Sequence, residues 1–86
     1  MRVLIPQPLL SYTNRRDRVD AQGQTLEALL QDLDRQFPGI RFRIVNEQDE
    51  MRPHVVIFVA GTKTKDLQIS LEGCDEVVIL QALSGG

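Results

Sequence analysis

Apolar and polar residues alternate along this chain with two different periods, and the points where the period changes divide it into elements. Val3, Leu4 and Ile5 form a short apolar run closed by Pro6 and Pro8, which predicts a strand buried on at least one face. Residues 9–14 read as a polar turn. Arg18, Val19, Asp20 and Ala21 alternate and predict a second strand, antiparallel to the first and ended by Gln22 and Gly23. From Thr25 the period lengthens: Leu26, Leu29, Leu30, Leu33 and Phe37 make a single helical stripe. Thr25 is suited to cap that helix, because its hydroxyl can accept from the unpaired amides of the first turn. Asp32, Asp34 and Arg35 fall on the wet side, and Pro38 and Gly39 stop the helix.

After the helix the signals differ in strength. Ile40, Phe42 and Ile44 alternate with Arg41 and Arg43, a pattern compatible with a strand or with a short helical turn. Residues 46–52 are a polar, acidic loop. Val55, Val56, Ile57, Phe58 and Val59 are β-branched or aromatic throughout and predict a central strand closed by Ala60 and Gly61. Residues 62–66 read as a polar turn and residues 67–69 as a brief edge strand. A turn at Gly73 leads to the last strand, residues 76–80, and residues 83–86 run out as a flexible tail ending in Gly85 and Gly86. The expected division is thus a folded domain over 1–82 and a tail over 83–86. The order strand, strand, helix, strand, short strand, strand places the first and last strands side by side and parallel, with a right-handed crossover around the helix. That arrangement is α+β and of the β-grasp type: a mixed sheet of four or five strands packed on one main helix.

Composition narrows the function. The chain has 86 residues, enough for one thin core. Its net charge of −2 leaves no footprint for nucleic acid. Arg15, Arg16 and Arg18, interrupted by Asp17, read as a solvated loop. The single cysteine, Cys74, rules out an intrachain disulfide and an iron–sulfur cluster held by four thiolates, and fits a reducing cytoplasm. The opening apolar run is too short for a signal segment or a membrane span, so no membrane partner is expected. His54 has no second histidine beside it and reads as structural. Cys74 has no Lys, Arg or His adjacent in sequence to activate its thiol and reads as structural. Asp75 and Glu76 are neighbours, so they point to opposite faces of a strand and do not form an acid–base pair.

Taken in order, several segments resemble the small ubiquitin-like sulfur carriers, a family that includes the small subunit of molybdopterin synthase and the thiamine sulfur carrier. They are the Pro8-Leu9 turn, the leucine-rich helix ending Phe37-Pro38-Gly39, and Arg52-Pro53-His54-Val55 leading into Ile57-Phe58-Val59. Residues 71–77 and the final Ala82-Leu83-Ser84-Gly85-Gly86 complete the series. In the family turn a glycine precedes Asp-Glu-Val; here Cys74 holds that place and Gly73 lies one residue earlier. The resemblance implies a protein co-substrate rather than an enzyme. The carboxylate of Gly86 would be adenylated by an activating enzyme that uses ATP, and then converted to a thiocarboxylate by sulfur delivered as a persulfide. The product would pass sulfur to an acceptor enzyme or to a synthase large subunit in cofactor or metabolite biosynthesis. The carrier itself would bind no cofactor and no metal.

Glycine suits this role because it lacks a Cβ and accepts backbone conformations closed to other residues, so two in succession make a thin end that fits a narrow channel. Gly86 would be the reactive residue and Gly85 would provide clearance. Strand alternation leaves Leu4, Val56, Phe58, Val78 and Leu80 on the sheet face away from the helix, an expected partner-docking patch centred on Phe58. Two other readings share the fold: the small subunit of a molybdopterin-synthase-like complex, and a ubiquitin-like modifier or interaction module without sulfur chemistry.

Overall fold

The computed structural model describes residues 1–82, and the expected reactive residues Gly85 and Gly86 lie outside the described residues. Its elements run β1 (Arg2–Leu4), a 3-10 helix (Gln7–Tyr12), β2 (Arg18–Asp20), α1 (Leu26–Gln36), α2 (Ile40–Ile44), β3 (Val55–Val59), β4 (Thr62–Thr64) and β5 (Glu76–Gln81). The five strands form one sheet in the order β2-β1-β5-β3-β4. β1 and β5 pair in parallel at the centre, and the other pairings are antiparallel. This is the β-grasp arrangement expected from the order of elements.

Helix α1 forms where its stripe can be buried. Leu26, Leu29, Leu30 and Leu33 are inaccessible to solvent and rest on Val3, Val55, Ile57, Val77 and Ile79 of the sheet. The Thr25 hydroxyl accepts from the Ala28 amide at 3.2 Å, which satisfies one of the unpaired first-turn donors. Gly23 lets the incoming loop lie against the helix: a Cβ there would collide with the backbone of Ala28 and Leu29. Asp32 fastens the same loop, accepting from the Gln22 amide at 2.9 Å and from Arg35 at 2.7 Å.

The segment compatible with strand or helix is helical. Gly39, in the left-handed region at φ 97°, turns the chain out of α1 and into α2. Asp34 Oδ1 then accepts from the amides of Gly39 and Arg41, both at 3.1 Å, and so caps the new helix from the preceding one. A strand would have sent Ile40 and Ile44 to the same face as Phe42; the helix buries Ile40 and Ile44 and leaves Phe42 51% exposed. The Arg41 guanidinium grips the Glu27 carboxylate at 2.6 and 2.9 Å, tying α2 to the first turn of α1, and this bond raises its pKa above the ordinary arginine value.

The edge strand lies elsewhere than at residues 67–69. Ala60 and Gly61 both adopt positive φ, 50° and 81°, so the chain reverses in two residues and Thr62 pairs directly with Val59. Residues 62–64 are therefore β4, not part of a polar turn. Leu67 turns into the core, and the backbone around it is held by α1, the Glu27 amide bonding Leu67 O at 2.8 Å and the Leu26 amide bonding Ile69 O at 3.1 Å. Residues 9–14, read as a polar turn, contribute the end of the 3-10 helix, with Leu9 fully buried.

Candidate functional site

Strand alternation divides the sheet residues between two faces. On β3, Val55, Ile57 and Val59 point to α1, and Val56 and Phe58 point away and stay half-buried. On β5, Val77 and Ile79 point inward, Val78 is half-buried on the outer face, and Leu80 is 47% exposed. The register brings these outer residues together: Leu4 lies opposite Val78, Val78 opposite Phe58, and Leu80 opposite Val56. The residues expected at a docking surface thus form one contiguous apolar patch over three strands. The 40–52 segment does not cover it, because Ile40, Ile44, Val45 and Met51 are drawn into the core on the helix side.

A shallow groove on this patch is bounded by Pro6 and Pro8 on one side and Lys63 on the other. Val56, Phe58 and Leu80 form its floor, and it ends at Ala82. Neither the prolines nor Lys63 is marked by the apolar pattern. The prolines follow a strand and look like a terminator, and Lys63 lies in the strand whose hairpin is hidden by the Ala60 turn.

The groove leads to the point where the chain leaves the sheet. β5 is held on both sides, by β1 and by β3, through Val78, and by β3 alone from there to the pair Val55–Gln81. One residue further, the Ala82 amide donates to His54 O at 2.8 Å. His54 is thus useful here through its backbone. Its side chain lines a cleft on the opposite side of this exit point with Phe42, Arg43, Arg52 and Gln81, where the Arg52 guanidinium stacks 4.7 Å above the Phe42 ring and its Nε donates to Phe42 O at 2.8 Å. From Ala82, the four residues 83–86 at full extension reach roughly 14 Å.

The other residues weighed from sequence take structural positions. Cys74 Sγ donates to Glu76 O at 3.1 Å, and the Cys74 amide closes a turn onto Leu71 O at 3.0 Å. Gly73 supplies the positive φ of that turn, 77°, so the glycine stands one residue early because the left-handed position does. Glu76 pairs with Arg2 at 2.9 Å. Among the described residues, no group of three or more His, Cys, Asp or Glu side chains is placed to hold a metal ion, and no helix is long and apolar enough to cross a membrane.

A mixed sheet grasping one helix, with its central last strand leading out beside an uncovered apolar face, defines a ubiquitin-like β-grasp protein. The chain belongs to the ThiS family, whose sequence model matches residues 3–86. It is similar to the sulfur carrier protein CysO of Mycobacterium tuberculosis, at 32% identity over 89 residues that cover 98% of this chain and 96% of that protein. The crystal structure of the Amycolatopsis orientalis BexX/CysO complex contains a chain superposing with a TM-score of 0.88 at 26% identity, covering 99% of this chain and 98% of that one. The crystal structure of M. tuberculosis CysO gives a TM-score of 0.87 at 29% identity, covering 95% and 98%. The protein is therefore a sulfur carrier, a co-substrate rather than a catalyst.

Proposed function

We propose that residues 1–82 are a docking domain that delivers the tail, residues 83–86, to an adenylating partner, and that the Gly86 carboxylate carries the sulfur. A carboxylate resists substitution because its charge is delocalised and oxide is its leaving group. Attack of a Gly86 oxygen on the α-phosphorus of ATP, with loss of pyrophosphate, gives an acyl adenylate whose leaving group is AMP. A sulfur nucleophile then displaces AMP at the same carbonyl carbon. Hydrosulfide gives the thiocarboxylate directly. The terminal sulfur of a persulfide gives an acyl disulfide, and a thiol must reduce its S–S bond to release the thiocarboxylate. The ATP site and the sulfur donor belong to partners, and the reaction's need for ATP and reduced thiols fits a cytoplasmic setting.

The observation that carries this reading is the geometry of the last strand. β5 is paired on both sides through Val78 and stays paired with β3 through Gln81, and the Ala82 amide is bonded to His54 O, so a partner that holds the sheet also fixes the origin of the tail. The outer patch of Leu4, Val56, Phe58, Val78 and Leu80 is the surface a partner would hold, with Gly85 thin enough to pass a narrow channel behind Gly86. That a similar protein was solved in complex with BexX supports a docked mode of action. Intact-mass analysis of the protein isolated from its native host tests the reading. A sulfur-for-oxygen shift confined to the C-terminal residue is expected. A carrier found only in isopeptide linkage to lysines, with no sulfur at its end, would replace it with a modifier.

A further inference from the structure

Two neighbouring rows on the outer sheet face handle charge in opposite ways. In one, Asp20, Arg2 and Glu76 lie side by side across β2, β1 and β5. Its charges are satisfied within the chain: Arg2 bonds Glu76 at 2.9 Å, and Asp20 takes the N-terminal ammonium at 2.9 Å. The next row runs Arg18, Leu4, Val78, Phe58, Lys63 across all five strands. It is apolar in the middle and cationic at both ends. Among the described residues, neither Arg18 nor Lys63 forms an ion pair.

The cations are local exceptions in a chain whose net charge is −2. On the outer face Asp75 and Glu76 border Phe58 and Val78, with Glu76 already paired to Arg2, while Glu27, Asp49, Glu50 and Asp66 line a cleft with Lys65 beside the first turn of α1. Lys63 lies along the apolar groove with Phe58 and Leu80. Beside Arg18, Arg15 keeps a left-handed backbone at φ 66°, its amide bonded to Leu10 O at 2.9 Å, a conformation that residues other than glycine rarely adopt.

We propose that Arg18 and Lys63 are orienting cations that select an activating enzyme whose docking surface carries carboxylates at two points flanking an apolar ridge, and that they exclude a second copy of this chain. The inference rests on the docking reading above and deepens it. Four strand spacings separate the two cations, roughly 19 Å, which sets the spacing of the carboxylates. Two copies pairing face to face through this row would be related by a two-fold axis lying along the row or across it. The first places Arg18 against Arg18 and the second places Arg18 against Lys63, so either arrangement sets cation against cation. An acidic enzyme surface has no such conflict. Charges at the rim of an apolar contact act mainly on encounter rate and register, which are what a threaded tail requires.

Two measurements test this. In ATP–pyrophosphate exchange with the adenylating enzyme from the same genome, the doubly reversed variant R18E/K63E should raise the KM for the carrier roughly tenfold at low salt. The kcat should be retained, and the difference should fade as salt screens the pair. A KM equal to wild type at low salt, or a rise unchanged by salt, overturns the inference. Phe58→Asp in the same assay separates the two levels of argument. If it raises KM while the charge reversal does not, only the orienting role fails; if neither does, the docking reading fails as well. Sedimentation of the isolated protein is the second measurement. Wild type should be monomeric. Arg18→Glu should self-associate, because the carboxylate introduced on β2 of one copy would now meet Lys63 of another, and R18E/K63E should return to monomer. A wild-type dimer dispersed by Phe58→Asp overturns the exclusion of a second copy, as does an Arg18→Glu protein that stays monomeric. Co-sedimentation of wild type, but not of R18E/K63E, with phosphatidylserine vesicles would assign the row to a lipid surface and overturn the choice of partner.

Discussion

The two faces of the central strands have nearly the same composition and opposite fates. Inward, Val55, Ile57, Val77 and Ile79 are covered by α1 and lose essentially all solvent contact. Outward, Val56, Phe58 and Val78 remain half-buried and Leu80 is 47% exposed, because the chain's second helix also packs on the inner side. Hydrophobicity alone therefore does not say which face is the core; the number of elements available to cover the sheet does. Ile57 is packed beneath α1, whereas Phe58, its neighbour, stays half-buried on the uncovered face proposed for docking.

The comparison is sharpened most by a change that touches neither face. Deleting Gly86 draws the carboxylate back by one residue, roughly 3.5 Å, which a positioned adenylation site should not tolerate. ATP–pyrophosphate exchange should fall by about a hundredfold or more, with the thermal unfolding midpoint unchanged. Full activity from the shortened protein would remove Gly86 from the chemistry. Next in size is the inner face. Ile57→Ala leaves a cavity under α1 and should cost about 2–5 kcal/mol in denaturant titration. A loss under about 0.5 kcal/mol would show that this face is not the packed one. Phe58→Asp, one residue away, should keep most of the fold and weaken binding to the activating enzyme by about 2 kcal/mol, as expected on losing a central aromatic anchor. If Phe58→Asp unfolds the protein and Ile57→Ala does not, the two faces have been assigned the wrong way round.

The parts of the molecule legible in the sequence are those where one residue type has one physical use. The leucine stripe of α1, its Thr25 cap and its Pro38-Gly39 stop were readable, because apolar period and capping chemistry agree there. The outer patch was readable because strand alternation is strict. What was hidden depends on backbone conformations that residue type marks poorly. Ala60 at positive φ gives no warning of a two-residue hairpin, so β4 and Lys63 were missed. Ile40, Phe42 and Ile44 fit either period, and what decides between them is Gly39 and the Asp34 cap, the latter supplied by a residue five and seven positions before the amides it binds. Leu67 and Leu71 join the core from segments without regular structure, where no period exists to read.

The smallest predicted effect lies on the wet side of α1, the layer that keeps the inner face closed. Asp32 accepts from the Gln22 amide and from Arg35, with a further bond from Gln36 at 3.2 Å, and so fastens the β2–α1 loop over the helix. The Gln22 amide first, and Arg35 after it, favour the ionised carboxylate and hold the Asp32 pKa below its ordinary value of 3.8. A group whose pKa is lowered by folding stabilises the fold when ionised. Its contribution is complete above the unfolded value and is lost as pH falls through the folded one. Stability measured from neutral pH down into the acid range should therefore fall faster for wild type than for Asp32→Asn below about pH 4, with the two curves parallel above it. Because the carboxylate is near solvent, salt should reduce the difference. Parallel curves throughout the acid range would mean that the loop is held by the tight approach of Gly23 to the helix and not by Asp32. The outer face offers the control: docking to the activating enzyme should be unchanged in Asp32→Asn at neutral pH, since α1 lies on the far side of the sheet from Phe58.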